Sequence, residues 1–216
     1  PSTYDARARL TVEVTDEQGA STTGSVLVST PANDGPRISG LSASPQTVAK
    51  GGTIVATLSA SDPNGDPLKF NWSAPTDWAL EEDPMNPHRV QITAPDQPGQ
   101  TGVIAVTVDD QNGGEASAST TVSTKPNGAP EITRMEASAT TIDKGEQATI
   151  AVTARDPDAD PLEYTWSAPS QGWSVQPDSQ NPSRVTVTAP DSYGETGIVE
   201  VTVTDGFGGT ASNQLL

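Results

Sequence analysis

Two short acidic runs contain the side chains that are best suited to chemistry. The runs are SDPNGDPL, from Ser61 to Leu68, and RDPDADPL, from Arg155 to Leu162. Ca²⁺ takes about six to eight hard oxygen ligands, and oxygens at positions i, i+2 and i+4 of a tight loop converge on one ion. Both runs have that spacing, so the candidate calcium ligands are Asp62, Asn64, Asp66, Asp156, Asp158 and Asp160.

A tight turn between two strands is the alternative explanation for the same residues. In Asp-Pro-Asn-Gly the aspartate caps the backbone, proline presets φ, and glycine accepts a positive φ. The second run replaces that glycine with Ala159 but keeps its acidic residues. Turn geometry alone does not explain this retention, so the turn and the ion site both stay open.

Catalytic chemistry has little support in the sequence. The only histidine, His88, lies in NPHRV, and the matching segment NPSRV has a serine in its place. The chain has no cysteine, which excludes disulfides, thiol catalysis and cysteine-ligated zinc. No serine lies in a Gly-Xaa-Ser-Xaa-Gly motif. We therefore expect that the chain is not an enzyme.

The charge balance limits the partners. The 216 residues include 28 acidic and 11 basic side chains, which give a net charge of −17. Nucleic acid and anionic membranes would repel such a chain. No apolar run approaches the roughly 18 residues that cross a bilayer, so we expect neither a nucleic-acid partner nor membrane insertion. The chain has no initiator Met and no signal peptide at Pro1, and we expect it to be a piece of a longer protein.

The sequence repeats itself. Trp72 matches Trp166, 94 residues later, and a one-residue insertion then changes the offset to 95. Self-similarity of this length indicates tandem domains. We predict full repeats at residues 35–125 and 126–216, preceded by residues 1–32 as the C-terminal part of another repeat.

The local pattern within each repeat is that of β-strands. Segments such as TIVATLSA and ATIAVTAR alternate apolar and polar residues, as half-buried strands do. About six or seven short strands in each repeat predict an all-β chain of tandem immunoglobulin-like β-sandwiches. The linkers TPANDGPRI and TKPNGAPEI contain prolines, which stiffen a junction. We therefore expect an elongated, monomeric rod.

The four tryptophans divide into two pairs. Trp72 and Trp166 lie in strand segments, where we predict that they are buried. Trp78 and Trp173 lie in the loop or strand that follows. An exposed ring there would stack on a sugar, which makes these two residues candidate ligand-binding residues. A second position in the core or at its rim is the alternative.

Three motifs recur in both full repeats. Each has an Asp-Pro-Asx-Xaa-Asp-Pro-Leu run, then an aromatic-Xaa-Trp strand, and later an acidic hairpin that ends in Gly-Gly. The start of the chain has that hairpin in the shortened form VEVTDEQG. Together the motifs resemble bacterial Ig-like repeats related to polycystic-kidney-disease (PKD) domains and bacterial cadherin-like domains. The resemblance covers nearly the whole chain and implies fold more strongly than function.

The resemblance also implies calcium at the junctions between domains, where cadherin-like repeats bind it with oxygens of the linker and nearby loops. It assigns Asn33 and Asp34 to the first junction and Asn127 to the second, with the hairpin residues Asp110 and Asp205 nearby. The second linker, PNGAP, has an amide where the family commonly has an aspartate. The resemblance therefore implies either a site at the first junction alone or a low-affinity site at the second, in the millimolar range of extracellular modules.

Two functions from different classes fit these observations. In the first, the repeats are a non-catalytic spacer or stalk of a bacterial cell-surface adhesin, stiffened by calcium, whose other parts bind a cell-surface or matrix ligand. In the second, they are PKD-like accessory modules of a secreted hydrolase that bind carbohydrate or protein. Both functions predict an extracellular or cell-surface location.

Overall fold

The computed structural model describes residues 4–216. These residues form seventeen β-strands and no helix, which confirms the all-β prediction. Over this range there is accordingly no helix with the length and apolar content to cross a membrane. The chain folds as two compact units. The first runs to Asp96 and includes Gln100–Thr124, and the second comprises Gln97–Gly99 and Lys125–Leu216.

The first unit begins with an isolated hairpin of two nine-residue strands, β1 (Arg7–Thr15) and β2 (Ser21–Ser29). The strands pair antiparallel, with Leu10 opposite Val26. Asp16 closes the turn between them, because its side chain accepts the N–H of Ala20 at 2.9 Å. The hairpin forms a sheet of its own, and every residue of its strands is exposed.

The rest of the first unit is a sandwich of two four-stranded sheets. Its strands are β3 (Arg37–Ser44), β4 (Thr47–Val48), β5 (Thr53–Ser61), β6 (Lys69–Ser73), β7 (Ala79–Glu82), β8 (Arg89–Thr93), β9 (Thr101–Asp109) and β10 (Glu115–Thr124). One sheet has the order β3-β5-β8-β7 and the other has the order β4-β10-β9-β6.

The second unit repeats this arrangement with one strand fewer. Its strands are β11 (Glu131–Ala137), β12 (Gln147–Arg155), β13 (Glu163–Ser167), β14 (Ser174–Pro177), β15 (Arg184–Thr188), β16 (Val199–Thr204) and β17 (Thr210–Leu215). The sheets have the orders β11-β12-β15-β14 and β13-β16-β17. No strand of the second unit corresponds to β4.

Alternation of apolar and polar residues builds each core. In β5 the side chains of Ile54, Ala56 and Leu58 are buried, and they share one cluster with Val106 and Val108 of β9 in the opposite sheet. Strands β12, β15 and β16 supply the equivalent cluster in the second unit. Burial of one Val, Leu or Ile side chain stabilises the fold by about 1.5–3 kcal/mol, so these facing strands hold each sandwich together.

Trp72 and Trp166 are core residues, as the sequence predicts. Each lies in the strand that pairs with the long hairpin strand β9 or β16. The indole Nε1 donates a hydrogen bond to the carbonyl oxygen of Pro87 at 3.1 Å in the first repeat and of Pro182 at 3.0 Å in the second. A buried indole N–H needs such an acceptor, and both repeats provide it at the same place.

Several strands were not predicted from the sequence, among them β3, β7, β11 and β14, and the irregularity or shortness of these four explains why. In β3 the register shifts between Ile38 and Gly40, and in β11 it shifts between Ile132 and Arg134. A β-bulge of this kind interrupts the period-two pattern from which strands are predicted. Strands β7 and β14 have only four residues each, lie at a sheet edge and are mostly exposed.

Candidate cation site

In the first repeat, the acidic run forms the loop between β5 and β6. Asp62 Oδ1 accepts hydrogen bonds from the backbone N–H groups of Asn64 at 2.8 Å and Asp66 at 3.2 Å, which is the geometry of an Asx turn. Gly65 has a φ of +81°, which glycine adopts without strain. The loop is thus a turn in which one carboxylate oxygen of Asp62 organises the backbone.

The second repeat builds the same loop from a less suitable sequence. Asp156 Oδ1 accepts the N–H groups of Asp158 at 2.8 Å and Asp160 at 3.1 Å. Ala159, at the position of the glycine, has a φ of +63°. The left-handed conformation costs a residue with a Cβ about 1–2 kcal/mol. The loop keeps this conformation against that cost, so contacts around the loop stabilise it.

In each repeat an asparagine connects the linker to the long hairpin. Asn33 Nδ2 donates to Asp110 Oδ2 at 2.8 Å, and Asn127 Nδ2 donates to Asp205 Oδ2 at 2.8 Å. Asn33 also donates to the carbonyl oxygen of Asn112 at 3.4 Å. The same bond in both repeats ties each linker to the sandwich that follows it.

The next linker residue contacts the acidic loop itself. The N–H of Asp34 donates to Asn64 Oδ1 at 2.8 Å, and the N–H of Gly128 donates to Asp158 Oδ2 at 2.7 Å. Because both contacts use the backbone, the exchange of Asp34 for Gly128 leaves them intact. The linker is therefore attached at two points in each repeat.

The hairpin aspartates are buried and organise the turn after β9 and after β16. Asp110 Oδ1 accepts the N–H groups of Asn112 at 2.7 Å and Gly114 at 2.8 Å. Burial raises the pKa of Asp110, but the bonds from Asn33 and from these two N–H groups outweigh it and lower the pKa below the ordinary value. The pKa of Asp205 is lowered in the same way by its partners Asn127, Phe207 and Gly209.

Sequence analysis did not explain the Gly-Gly pair of these hairpins. A Cβ on Gly114 would collide with Asp110 Oδ2, and a Cβ on Gly209 would collide with Asp205 Oδ2. The second glycine is therefore needed because the aspartate lies against the backbone. The sequence already indicated this role, because the Gly-Gly pair follows the hairpin aspartate in both repeats.

Buried oxygens without a hydrogen-bonding partner among the described residues occur at matching positions. They are Asn33 Oδ1 and Asp62 Oδ2 in the first repeat, and Asn127 Oδ1 and Asp156 Oδ2 in the second. Leaving a buried polar atom unsatisfied costs about 1–3 kcal/mol. Carboxylate and amide oxygens are the ligands that Ca²⁺ and Mg²⁺ prefer. The linker and the loop of each repeat therefore both provide oxygens of the type that binds a divalent cation.

The second repeat has the more negative cluster. One ligand oxygen from each of Asp156, Asp158 and Asp160 lies within 4.8 Å of the others, and Asp160 is buried. In the first repeat the middle position is Asn64 instead. The sequence predicts Asp156, Asp158 and Asp160 as candidate calcium ligands, and the structure brings their carboxylates together.

Asp66 of the first repeat has a further partner that the sequence did not reveal. Its Oδ2 accepts the hydroxyl of Tyr4 at 2.6 Å. This hydrogen bond, together with desolvation and the nearby negative charge, raises the pKa of Tyr4 to about 12. One oxygen of Asp66 is thus committed to a protein donor.

The two candidate sugar-binding tryptophans differ in burial. Trp78 is 3% exposed and lies against Gly102, where an added Cβ would fall 2.8 Å from the ring. A buried ring does not stack on a sugar, so the ligand-binding hypothesis for Trp78 is wrong and the packing alternative holds. Trp173 is half-buried and lines a cavity of about 350 Å³.

The lone histidine has a structural position. The ring of His88 lies 4.4 Å from the ring of Phe70, measured between centroids. Its carbonyl oxygen accepts the N–H of Leu58 at 2.9 Å, and the carbonyl oxygen of Ser183 accepts the N–H of Val152 at the same distance in the second repeat. The backbone at this position therefore accepts the same hydrogen bond whether the side chain is that of His88 or of Ser183.

Comparison with known proteins covers both sandwiches. The model of the bacterial Ig domain family matches residues 33–123 and again residues 127–215. Chitinase A from Pseudoalteromonas piscicida is 36% identical over 168 residues, which are 75% of this chain and 19% of the chitinase. The chain thus spans about a fifth of the length of that relative.

Two solved structures are similar to this chain at low sequence identity. The titin domains Z1Z2 in complex with telethonin are 16% identical, with a TM-score of 0.49 over 85% of this chain and 95% of theirs. The adhesin InvE of Yersinia pseudotuberculosis is 16% identical, with a TM-score of 0.37 over 82% of this chain and 57% of its own.

Proposed function

Because this chain belongs to the bacterial Ig domain family, we propose that its repeats are non-catalytic spacers of an extracellular multidomain protein. We further propose that Ca²⁺ stabilises each linker where it meets the following sandwich. The observation that carries the proposal is the recurrence, in both repeats, of a linker asparagine bound to a hairpin aspartate beside buried oxygens that accept no hydrogen bond from the described residues.

The attachment of the linker supports a spacer role. In each repeat the linker makes a side-chain bond to the hairpin and a backbone bond to the acidic loop. A cation held by oxygens of both segments would add a third link and would be released when they separate. Binding to the folded state alone stabilises that state.

A polysaccharide-degrading enzyme is the parent protein that we propose. The chain is 36% identical to part of a chitinase, and this match favours that context over the adhesin stalk predicted from the sequence. Burial of Trp78 removes one of the two aromatic rings that a carbohydrate-binding role would use. We therefore assign to the repeats the separation of other domains rather than the binding of substrate.

Thermal unfolding tests whether the folded chain binds Ca²⁺. At about ten times its dissociation constant, Ca²⁺ stabilises a site by about 1.4 kcal/mol, so the melting temperature should be higher in Ca²⁺ than in EDTA at matched ionic strength. Asp156→Asn should remove the effect for the second repeat, because the amide still organises the turn through its Oδ1 but loses the negative charge.

Asp178→Asn is the matched control. Asp178 also accepts a turn N–H, that of Gln180 at 2.8 Å, and its replacement removes one charge outside the acidic loop. It should respond to Ca²⁺ as the natural chain does. Identical melting curves in Ca²⁺ and EDTA for the natural chain would refute the cation site.

Sedimentation with insoluble chitin separates the spacer from a binding module. We expect the natural chain to remain in the supernatant and to show no chitin hydrolysis. If it pelleted with chitin, and Trp173→Ala released it, the repeats would be a carbohydrate-binding module instead of a spacer.

A further inference from the structure

Tyr4 places the positive end of its O–H dipole in the first acidic loop. The hydroxyl donates a hydrogen bond to Asp66 Oδ2 at 2.6 Å, and a bond to a carboxylate is about twice as strong as one between neutral groups. This bond, desolvation and the negative charges of Asp66, Asp62 and Asp110 raise the pKa of Tyr4. The hydroxyl proton therefore lies in the combined field of three carboxylates.

The hairpin of β1 and β2 holds the backbone that follows Tyr4. The N–H of Asp5 donates to the carbonyl oxygen of Pro31 at 3.1 Å, and the N–H of Thr30 donates to the carbonyl oxygen of Ala6 at 2.9 Å. The hydroxyl of Thr30 in turn accepts the N–H of Ala6 at 2.8 Å. Tyr4 is thus fixed at one end of the hairpin, while its hydroxyl binds a loop residue that lies 62 positions later in the sequence.

The first loop and its linker offer a cation few oxygens that are not already in use. Asp62 Oδ1 accepts two N–H groups of the loop, and Asn64 Oδ1 accepts the N–H of Asp34. Asp62 Oδ2 and Asn33 Oδ1 are buried and accept no hydrogen bond from the described residues. Because Ca²⁺ takes about six to eight oxygens, a cation at this loop would also draw on the carboxylate of Asp66, the other acidic side chain of the loop.

We propose that the Tyr4 hydroxyl and a divalent cation compete for the carboxylate of Asp66. The proposal rests on the cation site proposed above and adds how the first repeat regulates it. Both need the lone pairs of Oδ2, and a cation there would repel the positive end of the O–H dipole. The cation binds only after the hydroxyl has left, so its apparent affinity falls with the fraction of chains in which Asp66 is released.

The matching positions of the other repeats provide the contrast and the control. Tyr4 corresponds to Pro98 after 94 residues and to Tyr193 after a further 95. The residue that follows has a positive φ in all three copies: Asp5, Gly99 and Gly194. Proline has no hydroxyl, so we expect no competition of this kind at the loop of the second repeat. Tyr193 is 79% exposed and serves as the control tyrosine.

Nuclear magnetic resonance of the tyrosines tests the displacement directly. The chain has three tyrosines, so labelling their Cζ atoms with carbon-13 gives three signals, which Tyr4→Phe and Tyr193→Phe assign. The Cζ signal responds to the hydrogen bond of the attached hydroxyl. In EDTA the Tyr4 signal should differ from its value in Asp66→Ala, which lacks the acceptor, and Ca²⁺ should move it towards that value. The signal of Tyr193 should stay in place.

Calorimetric titration with Ca²⁺ measures the competition as an affinity. Asp156→Asn, which is expected to remove the calcium response of the second repeat, is the background for every variant. In that background Tyr4→Phe keeps the ring and removes the hydroxyl, so it should bind Ca²⁺ about tenfold more tightly at the first site. Tyr193→Phe should bind Ca²⁺ as the background does.

The outcomes separate this proposal from the cation site itself. Equal affinities in the background and in Tyr4→Phe, with a Tyr4 signal that Ca²⁺ does not move, would overturn the competition and leave the cation site standing. Absence of Ca²⁺ binding from both chains would overturn the competition together with the cation site of the first repeat. Binding that occurs only in Tyr4→Phe would support the competition.

Discussion

The two full repeats share a fold and a linker attachment but differ in the acidic loop. The first repeat has Asn64 in the middle of the loop and Gly65 at its left-handed position, whereas the second repeat has Asp158 and Ala159 there. The second tryptophan differs as well, because Trp78 is buried and Trp173 is half-buried and borders a cavity.

This comparison separates what the architecture requires from what it tolerates. Both repeats have the buried hairpin aspartate, the linker asparagine and the Asx turn. They differ in the charge of the loop, in the residue at its left-handed position and in the burial of the second tryptophan. The shared features are therefore the ones that join the linker to the sandwich.

The largest expected difference concerns the glycine beside the second tryptophan. Gly102→Ala places a Cβ against the buried ring of Trp78, and overpacking of a closed core costs about 1–3 kcal/mol. Gly197→Ala meets Trp173 in the same way, but the adjacent cavity gives the ring room to move, so we expect the smaller loss. Urea unfolding followed by tryptophan fluorescence measures both. Equal losses of stability in the two variants would show that the cavity does not relieve the overpacking around Trp173.

Exchange of the middle loop residue should strengthen the calcium response of the first repeat and weaken that of the second. Asn64→Asp gives the first repeat three acidic loop residues, and Asp158→Asn removes one from the second. We expect the first variant to gain stabilisation by Ca²⁺ of up to about 1.4 kcal/mol at tenfold excess over the dissociation constant, and the second to lose it. The melting temperature in Ca²⁺ and in EDTA measures both. If neither variant changed its stabilisation by Ca²⁺, the charge of the loop would not determine cation binding.

The left-handed position gives a smaller effect of opposite sign in the two repeats. Ala159→Gly removes the strain of a Cβ at positive φ, and we expect a gain of about 0.5–1 kcal/mol after the entropy of the unfolded glycine is counted. Gly65→Ala should cost a similar amount. Denaturant midpoints of the two variants measure the change, and a loss in both would mean that the loop of the second repeat does not carry this strain.

Acid should affect the two repeats equally. The pKa values of Asp110 and Asp205 are lowered in the folded chain, so the folded state binds fewer protons than the unfolded state. The stability that they contribute is present above the unfolded pKa of about 3.9 and is lost as the pH falls through the folded pKa. Asp110→Asn and Asp205→Asn should each reduce the slope of stability against pH below about pH 4. If only one of the two variants changed the slope of stability against pH, the two aspartates would not contribute equally to acid sensitivity.

Much of the fold was predictable because its strands alternate regularly. The segments that contain Ile54, Trp72 and Val106 show a period of two, and each forms a strand in the structure. Strand β3 was not predictable in this way, because its bulge interrupts that period. The spacing of Asp156, Asp158 and Asp160 predicted a cluster, but not the bond from Gly128, which lies 30 residues away in the sequence.

The hairpin of β1 and β2 shows where local information ends. Its alternation and turn residues are nearly those of β9 and β10, and both pairs form the same antiparallel ladder. Nothing in that local pattern states that Val106 is buried and Val12 is not. Burial depends on a second sheet, which β3, β5, β8 and β7 supply for β9 and β10, and which the described residues do not supply for β1 and β2.

By itself, the sequence determined the repeat, the strands and the turns, because each depends on residues within a few positions of one another. The tertiary structure decided that Trp78 is buried, that Asn33 and Asn127 bind the hairpin aspartates, and that the backbone of each linker donates a hydrogen bond to the acidic loop. Those outcomes depend on how two sheets and a linker pack, and the free energy of that packing comes from contacts that no short stretch of sequence contains.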